Sequence, residues 1–293
     1  MKKQRTIKND ITFQGIGLHS GKMCTVTLRP ANADTGIVFF RTDRGIMIKL
    51  HPGAVVDTAF ATTIGYNGTR IKTIEHILSA LSAFEIDNVC IDIEGPEIPI
   101  LDGSSFELAE ILLKAGIEHQ NAYKKVLEIL HPFSVSDGLT SIEILPYQGR
   151  KFSQTIEFHN QFLGRQEYSI DLTPEAYMQE IAPARTFGFL KDVEMLRQNG
   201  LAKGGSLENA VVIDGNRVIN PSGLRYKDEF VRHKILDCIG DMYLCGIYIQ
   251  GHIISERSGH STNVKFLKQL LLAASTYRIQ PYEASRGFMP AQA

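Results

Sequence analysis

Thr73-Ile74-Glu75-His76-Ile77-Leu78 and His233-Lys234-Ile235-Leu236-Asp237 decide how this chain is read, because each lies in a helix-like segment that follows a run of strands. The first belongs to a helical segment over residues 72–84 and the second to one over residues 229–244. Ahead of the first come Cys24-Thr25-Val26-Thr27-Leu28 and Gly36-Ile37-Val38-Phe39-Phe40, strand-like stretches divided by glycine- and asparagine-containing turns. Behind it, Asn88-Val89-Cys90-Ile91-Asp92-Ile93 alternates apolar and polar residues as a half-buried strand does. A helix over residues 105–115, ended by Gly116, follows. The second half repeats this order. Val126-Leu127-Glu128-Ile129-Leu130, Ser141-Ile142-Glu143-Ile144-Leu145 and Phe152-Ser153-Gln154-Thr155-Ile156-Glu157-Phe158 predict strands, and a further strand spans residues 247–254 after the second histidine helix. The fold class expected is therefore α+β, built from a duplicated unit, with the boundary near Gln120 to Tyr123 and domains over residues 1–122 and 123–293.

Residues four apart on a helix share a face, so His233 and Asp237 can present an imidazole nitrogen and a carboxylate oxygen to one cation. His76 supplies a possible third ligand. Two histidines and one aspartate leave a fourth tetrahedral position free, which is how a catalytic zinc site differs from a closed structural one. Glu75, beside a ligand, is placed to take a proton from water. A lone helical histidine is more often packed or exposed than a ligand, and a His/Asp pair at this spacing also arises as an ordinary surface contact. Cys238 points about 100° away from Asp237 on the helix and reads as core. Asp241 extends the acidic stripe and is either a solvated carboxylate or the partner of a histidine, for which loop residue His260 in Ser258-Gly259-His260-Ser261 is a candidate.

In Ala184-Arg185-Thr186-Phe187-Gly188-Phe189, Thr186 can donate to an oxyanion and Phe187 and Phe189 can stack on a ring; the plainer alternative is the end of a core strand. Gly15-Ile16-Gly17-Leu18-His19-Ser20-Gly21 lacks the spacing and the following helix of a phosphate loop and reads as a tight turn. Residues 199–223, with Gly200, Gly204, Gly205 and Gly215 around Ala210-Val211-Val212-Ile213, read as an insert of short strands and loops that either shapes a binding site or is a surface hairpin.

Composition narrows the function classes. The 293 residues are 43% hydrophobic and 22% charged, values ordinary for a globular protein. With 31 basic and 32 acidic side chains there is no electrostatic footprint for nucleic acid. The four cysteines show no paired spacing, which favours a reducing cytoplasm over a disulfide framework. The N-terminus is not a secretory signal, and no run approaches the ~20 apolar residues that span a bilayer.

Taken in order along nearly the whole chain, these motifs, with Pro96-Glu97-Ile98-Pro99-Ile100-Leu101-Asp102-Gly103-Ser104 and Asp228-Glu229-Phe230-Val231-Arg232-His233-Lys234, resemble the UDP-3-O-acyl-N-acetylglucosamine deacetylases of Gram-negative bacteria. Those are zinc amidases that commit a precursor to lipid A. The resemblance implies two similar sandwich domains packed with helices facing and the active site between them. It implies His76, His233 and Asp237 as ligands of one Zn2+, which Fe2+ can replace in the cell. Glu75 matches the general base, His260 the general acid, Thr186 the residue assisting the oxyanion, Asp241 the partner of His260, and Lys234 a residue near the developing charge. The substrate implied is a UDP-sugar carrying a long acyl chain. Val193, Ala202, Ser206, Ala210 and Val212 match an acyl passage formed by the glycine-rich insert. Phe187 and Gly188 match substrate contacts, and Phe189, Arg257 and Asn263 lie near the nucleotide end. A cytoplasmic monomer is expected, with room for peripheral contact at the inner membrane.

Two departures from the family stand out. Ala61 in Asp57-Thr58-Ala59-Phe60-Ala61-Thr62 replaces a cysteine that several members carry beside the metal, which predicts weaker inhibition by surplus zinc. The chain also closes on Pro290-Ala291-Gln292-Ala293, sooner than some relatives, so their C-terminal turnover signals are not to be assumed for it. Two rival functions use the same residues. Two histidines and a carboxylate also make the facial triad of a mononuclear iron oxygenase, and a nucleotide-sugar or lipid carrier would use the polar residues only to bind.

Overall fold

In the strand Met23–Pro30 every second residue is buried, through Cys24, Val26 and Leu28, and in Val89–Glu94 the same holds for Val89, Ile91 and Ile93. This period of two gives each strand one face for the core. The computed structural model, which describes residues 1–282, places these strands antiparallel at the centre of a five-stranded sheet. Its order is Ile11–Ile16, Met23–Pro30, Val89–Glu94, Ile37–Arg41, Ile46–Lys49. Helices α1 (Glu75–Ala83) and α2 (Phe106–Ala115) pack on it, and Ile77, Leu81, Leu108 and Leu112 share its core. Gly116 ends α2 at φ 74, a left-handed conformation that other residues adopt at a cost. The quoted C-terminal residues Pro290–Ala293 lie outside the described residues.

The second half is organised around the long strand Tyr248–Glu256, which runs parallel to Lys125–Ile129 and Arg150–Glu157 and antiparallel to Thr140–Leu145 within a seven-stranded sheet. A short turn of helix, α3 (Pro174–Ala176), is capped by the Thr173 hydroxyl, which accepts from the Ala176 amide. Between the parallel strands Phe187–Phe189 and Val211–Asp214 runs α4 (Leu190–Gln198), making a small β-α-β unit. The glycine-rich stretch thus contains the expected short strands, but α4 ahead of it was not legible as a helix. Its apolar residues Leu190, Val193 and Leu196 recur every third position, yet no residue of α4 is buried. Helices α5 (Glu229–Met242) and α6 (His260–Leu272) complete this half. His260 therefore opens a helix instead of lying in a loop, and Gly259 before it is extended, at φ −148.

All nine residues of α1 are buried, because it is held between its own sheet and α5. The helical faces of the two halves thus meet along α1 and α5. Gly240 makes their approach possible: a Cβ there would stand 2.1 Å from the carbonyl oxygen of Glu75. The segment expected as a boundary is a paired strand, Ile117–Tyr123, antiparallel to Lys3–Ile7. Lys124 next to it is fully buried, its ammonium 2.5 and 2.6 Å from the two Asp87 carboxylate oxygens and 2.9 Å from the Glu85 carbonyl oxygen.

Candidate active site

The N-terminus of α1 is aimed by strain. Thr73 adopts φ 57, rare for a β-branched residue, and its hydroxyl donates to Glu97 at 2.8 Å. Glu97, itself fully buried, also accepts from the amides of His19 and Ser20 at 2.9 and 2.7 Å. One carboxylate so fastens the turn after Ile11–Ile16 to the residues that present Glu75 and His76. That turn is tight, as expected, with Gly21 donating its amide to the Gly17 carbonyl at 2.9 Å.

At the α1–α5 crossing the two histidines and Asp237 converge. Ligand atoms of His76, His233 and Asp237 all lie within 4.8 Å of one another, and all three residues are buried. The imidazole rings stand 5.1 Å apart. His76 Nδ1–H donates to the Ser104 carbonyl at 3.4 Å and His233 Nδ1–H to the Ala184 carbonyl at 3.1 Å. Those bonds select the tautomer that leaves both Nε2 lone pairs facing the gap. Asp237 Oδ2 accepts from the Lys234 ammonium at 2.8 Å, whereas Oδ1 is buried with no hydrogen-bond partner among the described residues and lies 3.4 Å from His233 Nε2 and 3.9 Å from His76 Nε2. A bare carboxylate oxygen facing two bare imidazole nitrogens is costly unless something positive binds there. The donor set fits a divalent metal ion, with nitrogen and oxygen ligands suited to zinc or iron.

Electrostatics agree with this chemistry. Burial works against the charge of Asp237, but His233, Lys234, His260 and His76 outweigh it and hold the carboxyl well below the usual carboxylate range. Burial, and then the neighbouring His233, push the His76 imidazole down to about 3, so it stays neutral and able to ligate. Burial lowers His233 too. Glu75 is pushed up to about 8 by burial; His260 opposes the rise while Asp237 and Asp241 add to it. A cation at the neighbouring triad would oppose that rise as well. Its Oε2 accepts from the Thr62 amide at 2.9 Å.

His260 lies on the far side of Asp237, with Nε2 4.0 Å from Asp237 Oδ2. Its Nδ1–H donates to Asp241 Oδ2 at 2.9 Å. Burial disfavours its charge, but Asp241 and Asp237 prevail and raise it to about 9. Asp241, fully buried, thus orients this imidazole and is not a solvated carboxylate.

Glu75, His76, His233, Lys234, Asp237, His260 and Thr186 all line one cavity of about 340 Å³. Phe187, Gly188 and Phe189 form its wall and that of an adjoining, more apolar passage of about 330 Å³, which Val193, Ala202, Ser206, Ala210 and Val212 also line. Arg257 and Asn263 line neither. Arg257, at φ 52, pairs with Glu157. Asn263 is buried behind His260, where its amide donates to Asp241 Oδ2 at 2.9 Å. Cys238 is buried in the core, as read.

Several residues went unassigned in the sequence. His19 lines both the cavity and the passage and is buried, with Nε2 unpartnered among the described residues. Glu229, fully buried, holds the Arg185 guanidinium at 2.8 Å and so fixes the strand that begins at Phe187 to the start of α5. Arg185 and Glu97 both sit inside quoted motifs, which was the available signal.

A family model described as UDP-3-O-acyl N-acetylglycosamine deacetylase matches residues 4–272. The chain belongs to this deacetylase family. Among its relatives, the UDP-3-O-acyl-N-acetylglucosamine deacetylase of Acidithiobacillus ferrooxidans is 46% identical over 98% of this chain and 95% of that protein. Proteins of the same name from Nitratidesulfovibrio vulgaris and Oleidesulfovibrio alaskensis are 49% and 50% identical, covering 94% and 91% of this chain and 89% and 88% of their own lengths. The deacetylase-family match spans both histidine helices and the insert between them, so the whole cavity falls inside it. No helix of the described residues is long and apolar enough to cross a membrane.

Proposed function

We propose that this chain hydrolyses the N-acetyl group of UDP-3-O-acyl-N-acetylglucosamine, giving acetate and the free amino sugar on the way to lipid A. The observation that carries the reading is Asp237 Oδ1, buried and unpartnered between two imidazole Nε2 atoms, with Glu75 and His260 lining the same cavity. We assign the ion to zinc, held by His76, His233 and Asp237. When bound, it supplies Lewis acidity that polarises the amide carbonyl and acidifies water.

The chain's own groups supply the proton transfers. Glu75 takes the proton of the attacking water, and its buried setting makes it a stronger base than an exposed carboxylate. Thr186, on the cavity wall, donates to the oxygen that gains charge. His260 delivers a proton to the departing sugar nitrogen, since Asp241 occupies Nδ1 and leaves Nε2–H as the donor facing the cavity. The Lys234 ammonium, on Asp237 and at the cavity wall, adds positive potential where charge develops. The adjoining apolar passage suits the long acyl chain, and Arg257, once released from Glu157, suits the diphosphate. Two domains over residues 1–122 and 123–293, acting as a monomer in the cytoplasm, complete the proposal.

Anaerobic assay of acetate release, with bound metal quantified, tests it. One metal per chain and turnover without oxygen are expected; a requirement for oxygen would return the iron oxygenase. Glu75→Ala should keep the metal and lose turnover by several orders of magnitude, whereas a carrier would be indifferent.

A further inference from the structure

Thr62, the residue after Ala61, carries none of the roles read from the sequence, yet it touches both proton-handling arms. It is fully buried, immediately ahead of the strand Thr63–Tyr66. Its amide donates to Glu75 Oε2 at 2.9 Å, and its hydroxyl donates to Asp241 Oδ1 at 2.5 Å. Its carbonyl accepts from the Ile74 amide at 3.2 Å, which ties it to the start of α1. Glu75 is on α1 and Asp241 on α5, so one residue of a connecting loop bonds across the junction of the two helices.

We propose that Thr62 is a positioning residue that sets Glu75 and the Asp241–His260 pair in one fixed frame. The accounting at Asp241 supports this. Its Oδ2 is occupied by His260 Nδ1–H and Asn263 Nδ2–H, both at 2.9 Å, and its Oδ1 has the Thr62 hydroxyl alone. Asp241 is fully enclosed, so no solvent replaces that donor when it is lost. The carboxylate then relaxes by turning towards its remaining donors, and His260, hinged on the same carboxylate, turns with it. The Thr62 hydroxyl bonds Asp241 and the amide bonds Glu75, and neither bonds a candidate cation ligand, so the residue acts through these two acids.

The inference rests on the deacetylase reading, and the experiment separates the two. Wild-type acetate release tests the reading; ratios among variants test Thr62. Thr62→Val keeps the shape and the amide bond to Glu75 but removes the hydroxyl. It should lower kcat about tenfold to a hundredfold, the range for losing one hydrogen bond to a charged group. KM and bound metal per chain should stay at wild-type values. Thr62→Ser, which keeps the hydroxyl, should restore kcat, and Thr62→Ala carries the same test if valine disturbs the buried turn. In an Asp241→Asn background the Thr62→Val loss should vanish, because its route of action is already cut. A readout free of turnover is the downfield proton resonance of His260 Nδ1–H on Asp241, which should move in Thr62→Val and not in Thr62→Ser. Wild-type kcat in Thr62→Val, an undiminished loss in the Asp241→Asn background, or an unmoved resonance overturns the proposal.

Discussion

Gly240→Ala is the sharpest perturbation of the helix crossing that builds the site. The new Cβ would lie 2.1 Å from the Glu75 carbonyl oxygen, 2.8 Å from its carbon and 3.0 Å from its Cα. All three are backbone atoms, so no side chain can swing aside. Restoring contact to about 3.5 Å requires α1 and α5 to part by about 1.4 Å at this point. The cost to folding is that of an overpacked core, about 1–3 kcal/mol. The cost to function is larger, because the moving atoms belong to Glu75 and its neighbour His76, while His233 and Asp237 stay on α5. Ligand distances tolerate only about 0.2 Å, so metal affinity should fall. Misplacing a base by about 1 Å should cost on the order of 100-fold in kcat/KM. The assay is acetate release at saturating metal, with metal per chain and thermal midpoint measured on the same samples. Gly251→Ala is the control, since the atoms nearest its Cβ are Ile129 and Ile144 side-chain atoms at 3.0–3.1 Å, and it should destabilise without a comparable loss of turnover. The reasoning is refuted if Gly240→Ala retains one metal per chain and full kcat/KM.

Two further outcomes follow from the same geometry. His260 is raised to about 9, so if it is the acid, as proposed, kcat should fall as pH climbs through about 9 and the imidazolium loses its proton. Asp241→Asn removes the strongest support for that charge, and the falling limb should move to lower pH; a limb that stays put would assign it to another group. Ala61 is buried beside Thr62 and offers no ligand atom. Zinc titration should therefore show one binding event with little inhibition by excess metal, and Ala61→Cys should introduce inhibition; steep inhibition of the unaltered protein would contradict this.

Much of the architecture was legible because its physical causes are local. Alternation in Met23–Pro30 and Val89–Glu94, the helical spacing that puts His233 and Asp237 on one face, and the glycine that closes α2 are properties of a few neighbouring residues. Helix α4 escaped because its apolar stripe lines an open passage, leaving none of its residues buried. His260 was expected in a loop, since the glycine before it suggested a turn that the extended backbone does not make.

What the chain's order of residues determined alone is the set of parts: an α+β order of strands and helices, a His-Asp face on one helix, a Glu-His pair on another, and family membership through motifs in sequence. Tertiary structure decided which parts meet. The nearness of His76 to Asp237 depends on two backbones crossing at Gly240, the strain at Thr73 is held by Glu97, and Thr62 reaches Asp241 from 179 positions away. Such contacts have no period along the chain, because they are selected by packing between elements, where a single missing Cβ or one buried carboxylate sets distances that propensity and spacing do not encode.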